Sequence, residues 1–188
     1  MAAKAKRLIE ILLVKCDLTG IPEKVLLKSR NLGAVDLIWP RAGIAKKSAA
    51  REFVFRRGAV DFAEEPWAKR VLFREEVEDH TALTVSVSEP VSVQKIRQFL
   101  KLAAKYALKQ GADFVEKAML GYADVASAPV DALAAMVGEK ESPKSIAQGV
   151  LDVPALPGEG EEWLVDVPLF RPKLFTKQIG TLTLAVRG

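Results

Sequence analysis

The sequence predicts a mainly β chain, α+β by content: an eight-stranded antiparallel β-sandwich carrying a three- to four-helix insertion at about 92–149. Three observations lead there. Runs such as Leu83-Thr84-Val85-Ser86-Val87 and Thr181-Leu182-Thr183-Leu184-Ala185-Val186 alternate apolar and polar residues, the period of a strand buried on one face. Between them the apolar spacing turns helical: Ile96, Phe99, Leu100, Ala103 and Ala107 form one stripe. The 188 residues, 49% hydrophobic and 28% charged, suit one globular core, and no flexible linker divides them. The expected organisation is a single domain over 1–188, with the sandwich at 7–90 and 149–187 and the helical insertion at 92–148.

Residues 7–15, RLIEILLVK, are rich in Ile, Leu and Val and predict a largely buried first strand. The segment 1–16, MAAKAKRLIEILLVKC, superficially resembles a charged region, a short apolar run and a lipid-modified cysteine. Glu10 breaks its apolar run, however, and Lys15 stands where a processing site needs a small residue. A turn follows at Asp17 to Pro22, then a second strand at Lys24 to Arg30 and a short one at Val35 to Trp39. Arg51 to Arg57 places Phe53 and Phe55 on one face, with Gly58 opening a turn. Lys69 to Arg74 continues the strands, and Glu75 to Asp79 is expected to be an acidic loop before Leu83–Val87. Ser92 is a plausible N-cap for the first helix, Gly111 a stop, and Phe114–Ala123 and Pro129–Val137 follow as further helices. Strands resume at Val150–Val153. After a Gly/Glu-rich loop at 157–162 comes Trp163–Val167, then an irregular stretch at Pro168–Lys177, then the last strand.

Charge is concentrated in one place. Val91 to Ala112 holds five cations and no acid, and Arg97, Lys101, Lys105 and Lys109 recur every fourth residue, on one helical face, with Lys95 beside them. The chain is only +4 overall, so the rest sums to −1. Such a stripe can lie on an anionic membrane, follow a nucleic-acid backbone, or simply be the solvated face of a packed helix. Only Phe99 and Tyr106 are interleaved with it, at positions the core can claim, which ranks nucleic acid last. Arg56-Arg57 and Lys46-Lys47 are read as ordinary surface pairs.

Several pieces together resemble a C2-like domain: a first strand ending in Asp17-Leu18-Thr19-Gly20; Phe62-Ala63-Glu64-Glu65-Pro66-Trp67 before Val71-Leu72-Phe73; Leu83 to Glu89; and Gly149 to Pro154 with Trp163 and Gly180 to Leu184. Over about two thirds of the chain, the resemblance implies a C2-like sandwich with the helical insertion in the third top loop. That family often binds calcium through aspartates in its end loops. Here only Asp17 stands in such a place, Ile21 precedes Pro22 where an aspartate is expected, and Glu89-Pro90-Val91 replaces an Asp-x-Asp. No calcium site, no other metal and no cofactor are therefore expected.

Catalytic chemistry finds little support. His80, the one histidine, follows Asp79, but neighbours in a loop rarely orient one another as base and orienter, and no nucleophile motif accompanies them. One histidine and one cysteine do not suggest zinc, and no glycine-rich phosphate loop is present. A lone Cys16 fits a reducing compartment. The expectation is a non-enzymatic, calcium-independent binding module, cytoplasmic or peripheral at a membrane. It would recognise a protein or an anionic membrane surface, a protein being preferred, through the insertion and end loops. Lys95, Arg97, Lys101, Lys105 and Lys109 form the expected surface. The alternatives are a subunit of a larger assembly, or a hydrolase-like enzyme using His80 and loop carboxylates.

Overall fold

The computed structural model describes residues 6–21, 26–39, 45–78, 81–90, 92, 94, 144–153, 155–172 and 174–188. Their order is β1 (Lys6–Asp17), β2 (Lys28–Trp39), β3 (Ala45–Arg56), β4 (Ala59–Asp61), α1 (Trp67–Arg70), β5 (Val71–Glu78), β6 (Thr81–Ser88), β7 (Ser145–Val153), β8 (Glu162–Arg171) and β9 (Leu174–Arg187). Every ladder is antiparallel. The strand order β4-β3-β2-β6-β7-β8-β9-β1 closes on itself because β4 also pairs with β1, and β5 extends the free half of β1.

This closure corrects the sandwich prediction. Two broad groups of strands do face each other across one core. They are joined at both edges, though, by Gln148↔Phe170 between β7 and β8 and by β4 between β3 and β1. The result is an eight-stranded barrel with two thin joins. Alternation shows which face of a strand is buried and is silent on where two sheets meet, so the joins were not foreseeable from it. The three- to four-helix insertion at 92–149 is likewise corrected. β7 starts at Ser145, inside that span, and α1, the one helix among the described residues longer than a single position, lies elsewhere and has four residues. The predicted stripe and helices over 95–143 lie outside the described residues.

Inward residues alternate as expected on most strands. Ile9, Ile11 and Leu13 on β1, Phe53 and Phe55 on β3, Leu83, Val85 and Val87 on β6, and Leu182, Leu184 and Val186 on β9 are all nearly fully buried in a single core. Gly33 belongs to it by omission: a Cβ there would lie 2.4 Å from the Phe53 ring, so β2 leaves room for that ring. Outward residues form cross-strand rows. Glu162–Arg187 and Glu10–Arg74 are ion pairs on one row across β8, β9, β1 and β5. An apolar interior under charged rows is the reverse of a lipid-facing barrel.

Three local predictions are also corrected. Lys69 and Arg70 are helical, their amides bonded to the Pro66 carbonyl at 2.8 and 3.3 Å, before β5 begins. The acidic run Glu75–Glu78 is strand, because β1 offers it a ladder partner and Lys47 meets Glu75 at 2.7 Å. Pro168–Arg171 continues β8. Proline is tolerated there because β8 is nearly an edge toward β7.

The wall between β3 and the β4–β5 segment is closed differently. β3 and β4 share one ladder pair, Arg56↔Ala59, and β5 has none with β3 among the described residues. Side chains close the gap instead. Arg51, 5% exposed, donates Nη2 to the Val71 carbonyl at 2.5 Å, Nε to that of Lys69 at 3.2 Å and Nη1 to that of Ala50 at 3.2 Å. Phe62, 6% exposed, lies edge-on to Phe53 at 5.1 Å, and its amide bonds the Val14 carbonyl at 2.9 Å, at the β1 bulge. Phe62→Ala should therefore unplug the wall and destabilise the protein by about 3–5 kcal/mol in urea unfolding. An effect below about 1 kcal/mol would show that the plug is unimportant.

Candidate surface at one end of the barrel

Antiparallel connection brings four segments to one end: the β1–β2 link, the β3–β4 turn, the β6–β7 connection and the β8–β9 turn. The β3–β4 turn has two residues, Arg57 at φ 53° and Gly58 at φ 82°. Both positive values suit a tight turn that follows the strand twist, which is the reason for glycine here. Amide bonds from Leu18 to Gly58, from Gly58 to Leu26 and from Arg57 to Leu27, 2.8–3.2 Å long, tie this turn to the β1–β2 link. Arg171 Nη2 reaches the Gly20 carbonyl at 3.3 Å, and the Gly20 amide bonds that of Ile179 at 2.8 Å.

The surface so built is cationic. Lys28, Arg56, Arg57, Lys144, Arg171 and Lys177 are all exposed on it, and none forms an ion pair with another described residue. Of the nearby acids, Asp17 lies 3.6 Å from Lys15, and Glu89 stands at the base of the β6–β7 connection. Leu27, 55% exposed, sits between Lys28 and the Arg57 turn.

The β6–β7 connection leaves from and returns to this same end. Its base is firmly held. The Glu89 amide bonds the Lys144 carbonyl at 2.7 Å, Asn31 Nδ2 donates to the Ser88 carbonyl at 2.7 Å, and the Leu32 amide donates to Ser88 Oγ at 2.8 Å. Lys95, Arg97, Lys101, Lys105 and Lys109 all belong to that connection, though they lie outside the described residues, as does His80. Sequence reading missed the barrel-end cations because they come from four turns far apart in the chain. The one available signal was that Arg57-Gly58 and Arg171-Pro172 flank turns.

Two concavities lie along the barrel wall. One, of about 730 Å³, runs beside β3. The other, of about 340 Å³, lies on the outer face of β8, β9 and β1 and includes Lys15, Asp17, Asp166 and Thr183. Its polar groups largely satisfy each other. Thr183 Oγ1 donates to Asp166 Oδ1 at 2.6 Å, and Gln178 Nε2 donates to Thr181 Oγ1 at 2.9 Å. Asp17, the one residue matching a calcium-ligand position, lies here with one other carboxylate. Among the described residues no group of three His, Cys, Asp or Glu gathers to hold a metal.

No protein-family model matches the chain, and no curated protein does. Among solved structures it is similar to the C2A domain of plant extended synaptotagmin 1. The two are 12% identical over 99% of this chain and 95% of that one, with a TM-score of 0.44. No helix among the described residues is long and apolar enough to cross a membrane.

Cys16 is buried, free of any disulfide, and faces the core. Burial, and secondarily the Asp17 charge, pushes its thiol far above the ordinary value of 9.0. The unfolded chain therefore loses this proton above about pH 9 while the folded chain keeps it, so stability falls as pH rises. The slope due to this group should approach about 1.4 kcal/mol per pH unit, and Cys16→Ala should remove it. Urea midpoints of the two proteins from neutral to alkaline pH check this. Parallel curves would refute it.

Proposed function

We propose that this chain is a non-enzymatic, calcium-independent binding module that docks peripherally on an anionic membrane surface through the cationic end of its barrel. The observation that carries the reading is the convergence at one end of six exposed cations and the exposed Leu27, which adjoins Lys28 and the Arg57 turn. Cations supply attraction to anionic headgroups, and one apolar side chain among them can enter the interface. Loops on a rigid scaffold are the usual carriers of such contacts. Lys95, Arg97, Lys101, Lys105 and Lys109 are proposed to add to the same surface, since their segment is rooted at this end.

Each cation near an anionic leaflet contributes about 1 kcal/mol, roughly fivefold in affinity, and the effect is screened within a Debye length. Cosedimentation with phosphatidylserine-containing vesicles is expected, with little binding to pure phosphatidylcholine, a steep loss with salt and no change on adding a calcium chelator. Lys28→Glu, Arg57→Glu and Lys177→Glu together should abolish binding without altering the circular dichroism. Alanine at Lys95, Arg97, Lys101, Lys105 and Lys109 should weaken it further than the rim charges alone predict. If the triple charge reversal binds these vesicles as tightly as the parent, the reading is wrong.

A further inference from the structure

A second surface, which meets the cationic end at Arg56, lies along the outer edge of β3. The hairpin turn makes Arg56 and Ala59 a closing pair, so the Arg56 backbone groups point toward β4. By the alternation of a strand, those of Val54, Glu52 and Ala50 point the same way. The Ala50 carbonyl is capped by the Arg51 guanidinium. β4 leaves β3 after Ala59 to pair with β1, its Asp61 lying opposite Lys15. The edge groups of Glu52 and Val54 therefore meet no ladder partner among the described residues. An open strand edge is a template for another strand, which folded proteins usually cover.

Among the described residues nothing covers this edge, and a groove flanks it. The concavity of about 730 Å³ runs along it, with Val54 and Val60 on its walls, Phe62 at its base and the 61–65 segment opposite. That far wall is acidic, while Arg51, Arg56 and Lys69 also line the groove and Asp61 Oδ1 accepts the Ala63 amide at 2.7 Å. Asp61 and Glu64 form no ion pair with another described residue, while Glu65 is engaged by Lys69 at 3.1 Å. On the near side Glu52 is engaged by Arg30 at 2.7 Å.

We infer that this groove takes an extended peptide segment of a partner protein, added as a short strand beside Glu52 and Val54, with a Lys or Arg side chain of the peptide meeting Asp61 and Glu64. Main-chain bonds to the open edge supply the affinity, and the acidic wall with the valines beneath selects basic residues alternating with apolar ones.

Selection of displayed random short peptides on the immobilised full chain tests this, followed by fluorescence polarisation of the best binder. Enriched sequences should alternate apolar and basic residues. Val54→Pro removes one edge amide at an unpaired position, where a strand tolerates proline. It should weaken the peptide about tenfold, the size of one lost hydrogen bond. Glu64→Lys, on an exposed loop, should do the same by charge and keeps the test decisive if Val54→Pro does not fold. Lys28→Glu with Lys177→Glu should leave peptide affinity unchanged, which separates this site from membrane docking. No enrichment above background, or a selected peptide indifferent to Glu64→Lys, overturns the inference.

Discussion

The guanidinium of Arg51 holds the barrel together where the backbone does not. A sheet becomes a barrel only if its last strand meets its first, and β4, three residues long, manages one pair with β3. β5 runs alongside β3 without a ladder to it among the described residues. Carbonyls of Lys69 and Val71 on one side and of Ala50 on the other are drawn to the same cation. A buried charge is costly unless its donors are met, and charge-assisted bonds are the strong ones. Arg51 thus substitutes for a missing rung. Lys47 and Glu75 repeat the device nearer the far end, more exposed and correspondingly weaker.

Closure by side chains leaves gaps that closure by backbone would not. Between the Arg51 bridge and the Arg56↔Ala59 pair, the chain must leave the wall to reach β1. Phe62 fills the resulting hole from inside, stacked edge-on to Phe53. Outside it, the groove beside β3 remains. The same residues that complete the core therefore leave two strand residues without a ladder partner among the described residues.

Much of the strand content was legible because inward residues are apolar on almost every strand. Phe53 and Phe55, Leu83 to Val87 and Leu182 to Val186 all point where alternation puts them. What escaped was decided by neighbours. Glu75 and Glu76 look like loop until β1 lies beside them, and Pro168 looks like a break until β8 proves to be almost an edge. Two open sheets and one closed barrel share the same alternation, so the joins at Gln148↔Phe170 and at β4 left no trace in the pattern. The candidate surface was hidden for a related reason. Lys28, Arg57, Arg171 and Lys177 are scattered singles or pairs along the chain, and only antiparallel connectivity brings them to one end.

Net charge also concealed that surface. Outside residues 91–112 the chain sums to −1, which suggests a nearly neutral scaffold. The charges are not mixed evenly, however. The opposite end of the barrel balances itself, with Glu159, Glu161 and Glu162 beside Lys6, Arg7 and Arg187, and Arg187 and Glu162 in contact. A strand of 12 residues such as β1 is about 40 Å long, and at physiological salt fields decay over about 8 Å. The two ends are therefore several screening lengths apart, and the balance at one leaves the cations at the other uncompensated. An approaching anionic surface meets the local cluster rather than the sum. The chain's formal charge is thus a poor guide to its local field, whereas the position of each turn is a good one.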